Sequence, residues 1–300
     1  MRAQSGPKAG QGAELRDHRD KSEAEREIEA RWCKHLMKGA STEDFQRAYD
    51  ELHAEFLRRQ GSQGGIYAEV NPRPDAEDRI RAVVLRAIGT GRRVLEVGTG
   101  DGASAYFLAK AGNSVLSIDV SHLALAGARS RWGGDPGLEL RFEYGDARAL
   151  DLPDHSFDAV LSENMVEHLS LEDMGAHLRE VWRLLVPGGC YLLYTPSRLW
   201  SGRVSAGFHL HVYTLRELCK VMVRAGFSAS WLEPRLLHRT GHLRRTRRLL
   251  LRLAWLYESA LIALRVWRWP PALKARVIPG IMVCGEVECR AANGGKAGSA

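Results

Sequence analysis

The chain has 300 residues, 45% of them apolar and 26% charged, enough to bury one full core with segments left over around it. Its five cysteines, Cys33, Cys190, Cys219, Cys284 and Cys289, are scattered, form no CxxC pair and lack His partners at zinc spacing, which predicts a reducing, cytoplasmic setting and no metal centre. No secretory signal and no long uncharged span is evident, and the net charge of +7 is concentrated between Arg235 and Arg276, where Glu258 is the only acid.

In chain order, residues 1–12 and 291–300 are rich in Gly, Ala and Ser and read as disordered tails. Residues 13–88 read as an N-terminal helical lid. Trp32, Leu36, Phe45, Tyr49, Leu52 and Phe56 recur every three or four positions, predicting two helices broken near Gly39 to Thr42. A third helix is expected over Asp75 to Ile88, after Pro72 and Pro74 and before Gly89. Tyr67, in a glycine-flanked stretch, is a candidate to close over a ligand or to pack.

Residues 89–235 read as an α/β core. The runs VLEV, VLSI, LELRFEY, FDAVLSE and CYLLYTP alternate with helical patterns, which signals parallel βαβ units in an open, doubly wound sheet. Phe227 to Leu232 and a run within 277–290, Ile281 to Val287, supply the last two strands. Residues 236–276 then become a basic helical insertion before the last strand.

The strand Val94 to Val97 runs into Gly98-Thr-Gly100-Asp-Gly102, glycines that let a backbone approach a nucleoside closely at the carboxyl end of the sheet. Gly98, Gly100 and Ala103 also fit the dinucleotide fingerprint, so at this point an NAD(P) oxidoreductase stays open. Asp119, ending the next strand about twenty residues on, is placed to accept from both ribose hydroxyls of either cofactor.

Two further segments separate these readings. Gly145-Asp146-Ala147, and Phe157-Asp158 running on to Glu163-Asn164 and Glu167-His168-Leu169, follow the glycine strand and Asp119 in an order and spacing that resembles the class I S-adenosylmethionine-dependent methyltransferases. Leu184 to Gly189 is similar to that family's turn into the fifth strand, and Tyr213 to Phe227 to its following helix and turn. The resemblance spans roughly Arg93 to Leu232. It implies a Rossmann-like, mostly parallel seven-stranded sheet and S-adenosyl-L-methionine as cofactor. It further implies that Gly98 and Gly100 line the methionine portion, Glu96 orders the loop and the ammonium group, and Asp119 binds the ribose. Asp146 would face the adenine amino group beside Ala147, and Glu163 with Asn164 would sit near the methionine portion and the acceptor mouth. Glu167 and His168 read as structural capping residues.

Methyl transfer from a sulfonium needs chiefly an aligned acceptor; a hydroxyl acceptor also needs a base. His209, His211 and Tyr213 alternate after the fifth strand, so an extended segment puts them on one face, and His211 is the expected base; capping or packing is the competing role. The arginine-rich, Trp-rich stretch 242–274 suits a helical cap, a dimer interface or a peripheral contact with the inner face of a membrane. A small or lipid-like acceptor methylated at oxygen is the first expectation. An RNA acceptor is disfavoured, since no RNA-binding module or NPPY-type turn is present; a non-catalytic cofactor-binding scaffold is the other alternative. The sequence does not define an oligomeric state.

Overall fold

The computed structural model describes residues 23–60, 74–201, 209–231, 247–264 and 281–287. Tyr67, both tails, the arginines between Arg235 and Arg245, and Trp267 and Trp269 lie outside the described residues.

The strands are β1 (Arg93–Val97), β2 (Ser114–Asp119), β3 (Leu140–Tyr144), β4 (Phe157–Glu163), β5 (Leu185–Thr195), β6 (Phe227–Trp231) and β7 (Ile281–Val287). They form one seven-stranded sheet in the order β3-β2-β1-β4-β5-β7-β6. β1 to β5 pair in parallel, whereas β7 runs antiparallel between β5 and β6. The strand order reverses between β1 and β4, so their carboxyl ends open the crevice where ligands of such sheets sit.

Successive strand residues point to opposite faces, and both faces are covered. On one face Leu95, Val97, Leu116, Ile118, Val160, Tyr191 and Leu193 join a buried cluster with α6 (Leu171–Leu184) and α8 (Leu215–Arg224). On the other, Val94, Val115, Ala159, Leu161 and Leu192 pack with α3 (Pro74–Ile88), α4 (Ala103–Lys110) and α5 (His122–Trp132). A one-turn helix, α7 (Arg198–Ser201), follows β5.

Helices α1 (Glu23–Leu36) and α2 (Thr42–Gln60) are broken where Gly39 takes a left-handed φ of 95°. They bury Leu36, Phe45 and Ala48 in the first cluster and lie at the carboxyl end of the sheet. Polar contacts fix them there: Thr42 Oγ1 donates to Asp146, and Asp50 accepts from Ser121 Oγ at 2.6 Å. The third N-terminal helix has a different job, because Val83, Val84 and Ile88 of α3 belong to the opposite face.

The basic stretch contributes α9 (Arg247–Ala263), which packs on α8 and β6. Glu258 is buried within it and accepts from the N–H groups of Leu215 at 2.7 Å and Arg216 at 3.1 Å, donors of the first turn of α8 that the helix's own carbonyls cannot satisfy. Leu261 is buried beside it, while Leu253, Leu256, Tyr257, Ile262 and Leu264 are exposed. Among the described residues no helix is long and apolar enough to cross a membrane. Replacing Glu258 with alanine strands the buried N–H of Leu215 and the partly buried N–H of Arg216; the expected loss is about 1–3 kcal/mol in urea unfolding, with Glu258→Gln less affected. Equal midpoints for wild type and Glu258→Ala would show that this docking contributes nothing.

Candidate active site

The crevice is built by the turn after β1. Gly98, Gly100 and Gly102 have φ of 86°, 55° and 76°, a left-handed path that side chains disfavour. A Cβ on Gly98 would lie 3.0 Å from the side chain of Met165, so this glycine makes room for the turn after β4 as well as for the loop. The loop is tied to the next strand: Gly98 and Thr99 donate N–H to the carbonyl of Ile118, and Gly100 N–H donates to Asp119 at 3.3 Å.

Four acids surround this turn. Glu96 is buried, accepts from Ser117 Oγ at 2.5 Å, and is pushed well above the usual carboxylate range by burial and by the nearby charges of Glu163, Asp101 and Asp119. Asp119 accepts from the N–H of Ser121 at 2.8 Å and is pushed up to about 6, chiefly by burial. Glu163, ending β4, accepts from Ser104 Oγ of α4. The next residue, Asn164, holds a φ of 52°, a strained backbone at the mouth of the crevice. The sequence-predicted residues Glu96, Gly98, Gly100, Asp119 and Glu163 are thus brought together.

Asp146 and Ala147 lie in the turn after β3, and here the structure adds partners that the sequence reading passed over. Asp146 accepts from Thr42 of α2 and from Arg148, which also bridges to Asp173 at 2.8 Å and to the carbonyl of Ala40 at 2.8 Å. These donors hold its carboxyl below the usual range against the opposing effect of burial. The Arg148 guanidinium lies over Phe45, 4.6 Å from the ring centroid. The carbonyl of Ala147 is fixed by buried His177, whose Nδ1 lies 2.9 Å away and whose other nitrogen meets Tyr191 Oη at 2.8 Å.

The segment before α8 does not present its three candidates alike. His211 is half-buried and lines a cleft of 580 Å³ with Met37, Ala40, Ser170, Asp173 and Leu210. Its ring stands against Tyr213 at 4.5 Å, and Nε2 faces Arg198 Nη2 at 3.4 Å. Burial and the Arg198 charge lower its pKa. Tyr213 is fully buried, and its hydroxyl has no hydrogen-bond partner among the described residues. His209 turns instead to His168, ring centroids 5.0 Å apart, beside buried Glu167. Burial raises Glu167 to about 7. The sequence makes Glu167 and His168 a cap, and their approach to His209 has no local signal, because His209 lies some forty positions downstream.

A parallel sheet with a glycine turn and a strand-ending acid at its switch point defines an α/β domain for a nucleoside-bearing cofactor. The chain is similar to S-adenosylmethionine-dependent methyltransferases: residues 94–189 match the family model described as a methyltransferase domain. A probable S-adenosylmethionine-dependent methyltransferase of Mycolicibacterium smegmatis is 34% identical over 141 residues, covering 46% of this chain and 52% of that protein. A demethylmenaquinone methyltransferase of Deinococcus radiodurans is 34% identical over 159 residues, 49% of this chain and 65% of that one. The chain thus spans about half to two thirds of the length of these relatives. Among solved structures the [4+2]-cyclase SpnF shares the fold, with a TM-score of 0.56, 20% identity and coverage of 83% and 97%.

Proposed function

We propose that this chain transfers a methyl group from S-adenosylmethionine to a small or lipid-like acceptor, at oxygen. The observation that carries the cofactor half is the sign of the crevice. Glu96, Asp101, Asp119 and Glu163 face one glycine turn, closely enough that the charges of the other three raise the pKa of Glu96. A sulfonium with an ammonium group suits that field, whereas the pyrophosphate of a dinucleotide would be repelled by it. In this reading Gly98, Gly100 and Glu96 hold the methionine portion with Glu163, Asp119 holds the ribose, and Asp146 with Ala147 meets the adenine.

The acceptor oxygen attacks the methyl carbon in line. The carbon–sulfur bond breaks with its electron pair going to sulfur, leaving neutral S-adenosylhomocysteine, and the acceptor proton passes to a base. His211, on the wall of the 580 Å³ cleft, is the side chain assigned to take it. The test is titration with S-adenosylmethionine and S-adenosylhomocysteine, followed by transfer of labelled methyl to fractionated small-molecule and lipid extracts. His211→Ala is expected to lower transfer by about a hundredfold while binding of the cofactor is unchanged. NADH binding in place of S-adenosylmethionine, or full transfer by His211→Ala, would overturn the respective half.

The lipid-like part of the reading is supported by α9. Leu253, Leu256, Tyr257 and Leu264 are exposed at helical spacing, flanking the side buried through Glu258 and Leu261 and following an arginine-rich stretch in the sequence. We assign this face to an anionic bilayer surface. Cosedimentation with vesicles containing phosphatidylglycerol is expected and should be lost in Leu256→Glu; a salt-insensitive dimer lost in the same variant would replace the membrane with a second copy of the chain.

A further inference from the structure

The 3₁₀ turn Val166–His168 and the segment before α8 bring three ligand-bearing side chains to one point. A carboxylate oxygen of Glu167 and one ring nitrogen each of His168 and His209 all lie within 4.8 Å of one another. Small side-chain rotations close that spacing around a shared ion, metal–ligand bonds being about 2.0–2.2 Å.

The second observation is an orphaned atom. Glu167 is fully buried; Oε2 accepts from Thr195 Oγ1 at 2.9 Å, but Oε1 has no hydrogen-bond partner among the described residues. A buried carboxylate oxygen without a donor is costly, and such groups are ordinarily paired or bound to a cation. The frame around it is fixed. His211 N–H donates to the Glu167 carbonyl at 3.0 Å, which pins the His209 segment to the turn, and Tyr49 of α2 closes over His168 at 5.6 Å.

We propose that Glu167, His168 and His209 bind one divalent first-row transition cation. Two imidazoles and one carboxylate suit Zn²⁺, Mn²⁺, Fe²⁺ or Co²⁺ better than Ca²⁺, and three protein ligands leave coordination positions open for oxygen atoms of a bound molecule. Cation binding stands apart from the methyl-transfer reading. Its use there rests on that reading: a cation beside the His211 cleft would orient an acceptor hydroxyl, or two neighbouring ones, and make its proton easier to remove.

The experiment uses the full chain, stripped with chelator and titrated with Co²⁺, read by its visible absorption, and with Zn²⁺, read by competition and by elemental analysis. Helical content by circular dichroism verifies folding, and S-adenosylhomocysteine binding is measured separately, so that loss of the metal and failure of the cofactor reading are told apart. One equivalent is expected in the wild type and in His155→Ala, a histidine at the far end of β4, with binding about a hundredfold weaker in folded His209→Ala and His168→Ala. No saturable Co²⁺ or Zn²⁺ binding by the folded wild type, or equal binding by both variants, would overturn the proposal.

Discussion

Replacing Asp119 with alanine is expected to weaken binding of S-adenosylmethionine and S-adenosylhomocysteine by about 100- to 1,000-fold. A carboxylate offers about four acceptor directions, and the N–H groups of Gly100 and Ser121 occupy part of them. In the proposed reading the remainder, at the end of β2, accept from two ribose hydroxyls. Each hydrogen bond to a charged acceptor contributes roughly 1.5–3 kcal/mol, and two together reach the expected factor after the cost of ordering. The pH dependence has a definite sign. Only the ionised carboxylate accepts from both hydroxyls, and burial pushes this one up to about 6. Affinity should therefore hold steady above that value and fall about tenfold per unit below it, a fall that Asp119→Asn removes. Superimposable titrations of wild type and Asp119→Ala would take the ribose off this residue.

What the sequence discloses here is what neighbouring residues decide together. The run VLEV and its glycines, the acid at Asp119 and the alternation of strands with helices are local signals. The two last strands, Phe227–Trp231 and Ile281–Val287, emerged from the same patterning although more than forty residues separate them. Contacts across that kind of separation are another matter. Thr42 reaches Asp146, Asp50 reaches Ser121, and Glu258 reaches the start of α8, yet each looks in the sequence like an ordinary polar residue on a helix. Glu258 had one available cue, as the only acid in a basic stretch, which made a specific buried partner the natural question. The site shows the same division. Glu96, Asp119 and Glu163 were legible because each lies at the carboxyl end of a strand, whereas the meeting of His209 with Glu167 and His168 depends on how the chain returns after β5. Helical periodicity in 247–264 likewise reveals two faces without saying which one docks; buried Glu258 and Leu261 decide it.

The glycines of the first turn carry a further consequence, since the sequence reading gave them to the cofactor and the structure gives one of them to the fold. Gly102→Val is expected to destabilise the protein by about 3–5 kcal/mol, a large share of the roughly 5–15 kcal/mol typical of a domain. Gly102 is the N-cap of α4 with φ of 76°, a conformation that costs a side-chain-bearing residue about 1–2 kcal/mol. Its Cβ would also stand 2.9 Å from Ala128 and from Trp132 and 3.0 Å from Phe142, side chains of α5 and β3 packed in the second cluster with no free end to swing aside. Overpacking of that kind adds about 1–3 kcal/mol, and a β-branched side chain lies at the upper end. Gly112 separates the two causes. Its φ is 88°, but a Cβ there meets nothing within 4 Å among the described residues, so Gly112→Val should show the backbone cost alone. If urea unfolding finds the two variants equally destabilised, crowding at Gly102 is not what the glycine relieves. If Gly102→Val alone falls by several kcal/mol, the close packing of α4 against α5 and β3 is what sets the path of the loop from Gly98 to Asp101, and the cofactor crevice inherits its shape from the core beneath it.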